Sequence, residues 1–136
     1  MKIYLFLMAI LGLTLNGFAD GKHHVEINDK ARDAFATKTL KKQNQTVVIY
    51  ARGLICESCA IGIRKKLQRL KFVDTRKPKK GILMDPKTQL VTISLNGQKP
   101  VDPAAISKAI KGAGYDPVSL YQVHPNKGVR KTPLPK

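Results

Sequence analysis

The chain has no tryptophan, only two cysteines, and only nine acidic side chains against 25 lysines and arginines. Each shortage excludes something. Two cysteines cannot build a disulfide-dense scaffold. With aromatics at 6% of 136 residues, any core must be mainly aliphatic. The longest apolar run, Ile3 to Leu15, would make a helix of roughly 20 Å against about 30 Å of bilayer hydrocarbon, too short for a comfortable span. Also missing are paired carboxylates in a plausible cleft, a glycine-rich phosphate loop, and a Ser/His/Asp arrangement with supporting context, so no enzyme is expected. The shortage of acids leaves a formal net charge of +16. That charge disfavours self-association, so a monomer is expected, and it favours anionic neighbours such as nucleic acid, acidic lipid headgroups or acidic proteins. What is present, 43% hydrophobic residues, suffices for one domain of about 100 residues with appendages and argues against wholesale disorder.

The first nineteen residues read as a secretory signal peptide: Lys2 supplies a positive start, Ile3–Leu15 the apolar stretch, and Gly17 and Ala19 the small residues before a cut at Asp20. Export to a bacterial periplasm is the corresponding expectation. Residues 20–45 are polar, with six basic and four acidic side chains. They read as a spacer, with room for one short helix capped by Asn28 or Asp29 and a thin apolar stripe of Ala31, Ala34, Phe35 and Thr39. Residues 122–136 carry four basic side chains, no acid, Pro133 and Pro135, and read as an extended, mobile basic tail.

Residues 46–121 carry the strong local signals. Thr46–Ala51 is short and β-branched, hence a strand. After a loop, Ala60, Ile63, Leu67 and Leu70 recur at helical spacing, with Arg64, Lys65, Lys66 and Arg69 on the other side. A basic stretch, residues 71–80, leads to a second strand over Gly81–Met84. Asp85–Gln89 is a turn and Leu90–Leu95 a third strand. Asp102 and Pro103 open a second helix with Ile106, Ala109 and Ile110 buried, ended by Gly112 and Gly114. Pro117–Tyr121 is a fourth strand. The order βαββαβ predicts an α+β, ferredoxin-like sandwich: a four-stranded antiparallel sheet with two helices on one face.

Cys56 and Cys59 fall between the first strand and the first helix. A helix start stabilises thiolates through its unpaired N–H groups, and Arg52, Arg64 and Lys65 lie close in sequence. The spacing lets both sulfurs converge on one ion. Two sulfurs with no obvious third ligand suit Cu(I) or Hg(II), whereas Zn(II) generally wants four ligands and only Glu57 is nearby. Dithiol–disulfide redox chemistry and a structural disulfide are the less favoured readings of the pair.

Gly53-Leu54-Ile55-Cys56-Glu57-Ser58-Cys59, together with Leu67 and Gly114-Tyr115, resembles the heavy-metal-associated domain, a family that includes periplasmic mercury-binding proteins, copper chaperones and modules of copper-exporting ATPases. The resemblance implies that Cys56 and Cys59 bind one soft metal ion, Cu(I) or Hg(II). It also implies that they pass it to a metal-transporting or metal-accepting protein by thiolate exchange, with Tyr115 near the metal loop. The family pattern usually reads Gly-Met-x-Cys; here Leu54 keeps an apolar plug under the loop and Ile55 replaces a small polar residue. Residues 71–80 are also longer and more basic than the usual connection.

A periplasmic dithiol–disulfide oxidoreductase is the alternative, since an oxidising compartment would tend to close the pair. The fold it would need has no place here for its cis-proline loop. RNA-binding domains share the βαββαβ order, but they stack bases on aromatics of the first and third strands. The third strand has none and the first only Tyr50, so no nucleic-acid partner is expected. The cations Arg64, Lys65, Lys66, Arg69 and Lys77–Lys80 point instead to an acidic docking surface or an anionic membrane surface. His23 and His24, fourth and fifth after the expected cut, are weak candidates for an additional metal role.

Overall fold

The computed structural model describes residues 27–58 and 60–136. The expected signal peptide over residues 1–19, His23, His24 and Cys59 lie outside the described residues. The centre of the fold is β1 (Thr46–Arg52), whose first six residues are all buried. Alternation along a strand sends Val47, Ile49 and Ala51 to one side and Val48 and Tyr50 to the other. Each set enters a different apolar cluster.

The first cluster forms as expected. The helices α2 (Ile61–Leu67) and α3 (Pro103–Gly112) bury Ile63, Leu67, Ile106, Ala109 and Ile110 against β1 and its neighbours. Asp102 caps α3 by accepting from the backbone N–H groups of Ala104 and Ala105 at 2.9 and 3.1 Å, with Pro103 in the first turn. The strands β2 (Ile82–Asp85), β3 (Leu90–Ser94) and β4 (Asp116–His124) pair antiparallel around β1. Asp85 closes the β2–β3 turn through the Lys87 N–H at 3.0 Å and the Thr88 hydroxyl at 2.9 Å. The α+β, ferredoxin-like arrangement is therefore present.

Three expectations require correction. The sheet has five strands, ordered β2-β3-β1-β4-β5, rather than four. The fifth, β5 (Gly128–Pro133), comes from the segment read as a mobile tail and pairs with β4 over six positions, from Ser119↔Pro133 to His124↔Gly128. Leu134 follows into the main core at 5% exposure. The basic residues and prolines behind the tail reading fit an edge strand equally well, because its outer side is solvated and needs no N–H at every position.

Second, the helix allowed for in the spacer is present and capped by Asn28, one of the two expected caps, but it runs to fourteen residues, Asp29–Lys42 (α1), and is docked on the sheet. Third, α2 and α3 share one sheet face as expected, while α1 packs on the opposite face through other residues than those expected. Its buried stripe is Arg32, Ala36 and Leu40, not Ala31, Ala34, Phe35 and Thr39; Phe35 is 47% exposed. The true stripe contains a charge, which apolar periodicity cannot reveal. Burial of Arg32 is possible because each nitrogen of its guanidinium has a hydrogen-bond partner. It donates to Thr88 O at 3.0 Å, Ile27 O at 2.9 Å and Asp29 at 2.5 Å, and lies over the Tyr50 ring at 3.8 Å. Among the described residues no helix is long and apolar enough to cross a membrane.

Candidate metal centre

The loop after β1 is held from both sides. Gly53 turns the chain with φ +90°, a conformation that disfavours any side chain. Its N–H donates to the Gln89 side-chain oxygen at 2.9 Å, while the Ala51 N–H reaches Gln89 O at 3.0 Å. The β2–β3 turn thus pins the start of the loop. Leu54 is fully buried in the main core and anchors the loop from below, as the resemblance implied. Ile55, next along, is 54% exposed.

Cys56 is half-buried, with its sulfur 3.5 Å from the Ser58 hydroxyl. It is disulfide-bonded; the chain's other cysteine, Cys59, lies outside the described residues. The backbone then winds into α2 through bonds from the Ala60 N–H to Glu57 O and from the Ile61 N–H to Ser58 O. The strand–loop–helix placement is therefore as expected. The helix is short, seven residues, and Ala60 provides no side-chain cap.

The charges around the loop are arranged differently from the expectation. Arg52 pairs with Asp116 at 3.1 Å and Arg64 with Glu57 at 3.5 Å, so both balance carboxylates. Glu57 also receives Lys79 at 2.6 Å, and the Lys79 hydrogen bond holds its carboxyl below the usual carboxylate range. Two contacts to the loop, those of Lys79 and Gln89, were not foreseen from the sequence. Lys79 belonged to a basic stretch noted for its length; Gln89 gave no signal beyond its place in a turn.

With its carboxylate turned to Lys79 and Arg64, Glu57 is occupied as an ion-pair partner. Among the described residues no three His, Cys, Asp or Glu side chains gather as metal ligands. The loop's own donor is the Cys56 sulfur, a soft ligand once it is reduced to the thiolate. Tyr115 follows Gly114 (φ +88°) after α3, and its ring lies 3.7 Å from where a side chain on Gly53 would begin. It flanks the loop start, as the resemblance implied. His124 sits at the far end of β4, paired with Gly128, whereas the loop end of that strand is Asp116 beside Arg52. A cleft lined by Leu40, Leu95, Val101, Val123 and Val129 opens at that same far end, away from the cysteine loop.

The family model of the heavy-metal-associated domain matches residues 48–116. No curated protein and no solved structure matches the chain. The match runs from within β1 to the first residue of β4, enclosing the cysteine loop, Leu67 and Gly114-Tyr115. The chain belongs to the heavy-metal-associated domain family.

Proposed function

We propose that this protein is an exported metal carrier: it holds one Cu(I) or Hg(II) between the thiolates of Cys56 and Cys59 and hands it to a partner protein. The observation that carries the reading is the Cys-x-x-Cys loop of a heavy-metal-associated domain whose neighbouring carboxylate, Glu57, is committed to Lys79 and Arg64. The sulfurs are left as the soft donors. Transfer proceeds by ligand exchange: a partner thiolate adds to the ion, a donor thiolate leaves, and the ion is never free. Family membership points to metal binding rather than catalysis.

The partner surface follows from what surrounds Cys56. Ile55 and Ile61 are exposed beside it, Arg64 and Lys79 reach Glu57 in the loop, and Lys65, Lys66, Arg69, Lys77 and Lys80 add positive charge to the segments that carry those two. A partner with an apolar centre and an acidic rim fits this face; an anionic membrane surface is the looser fit. A nucleic-acid role draws no support from the sheet, because the face opposite α2 and α3 is covered by α1, and Tyr50 lies under Arg32 at 4% exposure. The leader over residues 1–19 supports a periplasmic location, and the net charge supports a monomer.

One observation favours the second reading, a dithiol–disulfide oxidoreductase: Cys56 is disulfide-bonded. In that state the pair must gain two electrons and two protons before it can take up a metal. Anaerobic titration of the reduced protein with Cu(I), Hg(II) and Zn(II), beside the Cys56→Ser/Cys59→Ser variant, separates the two. The carrier gives one-to-one binding of Cu(I) or Hg(II) that the double variant loses, with Zn(II) far weaker. Catalytic disulfide exchange without tight metal binding would overturn it.

A further inference from the structure

The connection from α2 to β2 is a built element. Its first half is hooked to the end of β3: the Asp74 N–H donates to Ser94 O at 2.8 Å, the Asn96 N–H to Phe72 O at 3.0 Å, and the Asn96 side chain to Lys71 O at 2.8 Å. Phe72, Val73 and Asp74 are buried, and Asp74 accepts from the Arg76 N–H and Nε at 3.2 and 2.9 Å. The chain then passes through three successive left-handed residues, Lys79 (φ 52°), Lys80 (φ 57°) and Gly81 (φ 74°). Gly81 is required there, since a Cβ would lie 2.4 Å from Asp74 O. Left-handed backbone is disfavoured at the two lysines, so the surrounding structure must impose it. The outcome of this turn is that Lys79 Nζ meets the carboxylate of Glu57, the residue directly after Cys56.

We infer that the 71–81 connection is a strap on the metal loop, and that Lys79 is a positioning residue whose bridge to Glu57 restrains the loop and slows the departure of a bound soft ion. The inference rests on the carrier reading. An exposed ion pair usually contributes little because two long side chains must both be ordered. Here the backbone on the lysine side is already fixed, so less ordering is required. Ligand exchange needs room for an incoming thiolate and separation of the donor sulfurs, and a loop tied at Glu57 resists both.

The test uses the full chain, reduced, as wild type, Lys79→Met, Glu57→Gln and the double variant. Each is loaded with one Hg(II), and transfer to an excess of a small dithiol is timed by loss of the thiolate–metal absorbance. Backbone order parameters of Ile55, Glu57 and Ser58 are measured on the metal-free reduced protein. The strap predicts that each single variant speeds transfer about two- to fivefold, that the double is no faster than Glu57→Gln, which also releases Arg64, and that loop order falls in all three. Lys79→Arg keeps wild-type behaviour. Unchanged transfer in Lys79→Met overturns the strap, as do additive effects. Shifts of opposite sign in the two single variants also overturn it, because they would mark a plain charge effect. If the wild type fails to bind Hg(II) through its cysteines, the carrier reading has failed. The order parameters then decide the strap alone: a drop in Lys79→Met keeps it, and no change rejects it.

Discussion

Arg32 shows how one side chain links the back of the sheet to the metal loop. It is 1% exposed, and its guanidinium serves two backbone carbonyls, one carboxylate and one aromatic face. One of those carbonyls belongs to Thr88, next to Gln89, whose side chain accepts the Gly53 N–H. Replacing Arg32 by alanine leaves Thr88 O and Ile27 O without this donor and opens a void beside Tyr50. The expected cost is about 2–4 kcal/mol, read as a lower urea midpoint at unchanged m-value. Arg32→Met, which refills the space, should recover part of it. A loss under about 0.5 kcal/mol for Arg32→Ala would show the buried charge to be incidental. None of this was legible in the sequence, where Arg32 reads as a solvent-facing residue on a polar helix. The cysteine motif is the opposite case: its spacing after a β-branched strand and before a helical stripe marked the loop and the family that the match over residues 48–116 shows.

At the scale of elements, α1 covers the sheet face away from α2 and α3, and β5 extends the sheet at its β4 edge. They are tied together by one cluster. Tyr121 on β4 donates its hydroxyl to Asp33 on α1 at 2.7 Å, and Lys131 on β5 reaches the same carboxylate oxygen at 2.8 Å. Burial pushes the Asp33 carboxyl up, but the hydrogen bonds from Lys131 and Tyr121 outweigh it and hold the group below its ordinary value. Leu134, just beyond β5, donates its N–H to Val118 O at 3.0 Å and is buried in the main core. Leu134→Ala should therefore cost about 2–4 kcal/mol in chemical denaturation. A mobile tail would give a change near zero, so this single variant distinguishes an integral strand from an appendage. The four strands and two helices over residues 46–121 were readable because each carries its own period, cap or turn. The added elements were not, because their pattern is weak alone and their partners are distant in sequence.

Over the whole molecule, the charge is unbalanced because the acids are few, and those among the described residues are all engaged. Among the described residues, Asp29, Asp33, Glu57, Asp74 and Asp116 sit in ion pairs, while Asp85 and Asp102 close a turn and cap a helix. In the function proposed above, the surplus cations draw an acidic partner toward the cysteine loop. Metal transfer to an acidic partner domain is expected to slow by about tenfold or more between roughly 10 mM and 500 mM salt, as screening shortens the field's reach. Transfer to an uncharged small thiol should change little. Stopped-flow rates for both acceptors check this, and salt-independent transfer to the acidic partner would remove the electrostatic docking account.

By itself the sequence determined the βαββαβ unit, the position of the Cys-x-x-Cys loop, the Leu54 plug and the ends of α3, because those depend on local periodicity, capping and chain spacing. Only the tertiary structure decided which side chains stand around that loop. Lys79 reaches Glu57 across 22 positions and Gln89 reaches Gly53 across 36. It also decided that residues 29–42 and 128–134 belong to the fold. The physical reason is the same throughout: a side chain that is ordinary in its own segment acquires its role from a partner brought near by folding. The few acids that first marked this sequence are a case in point, since the structure commits Glu57, beside the cysteine loop, to the cation that straps it.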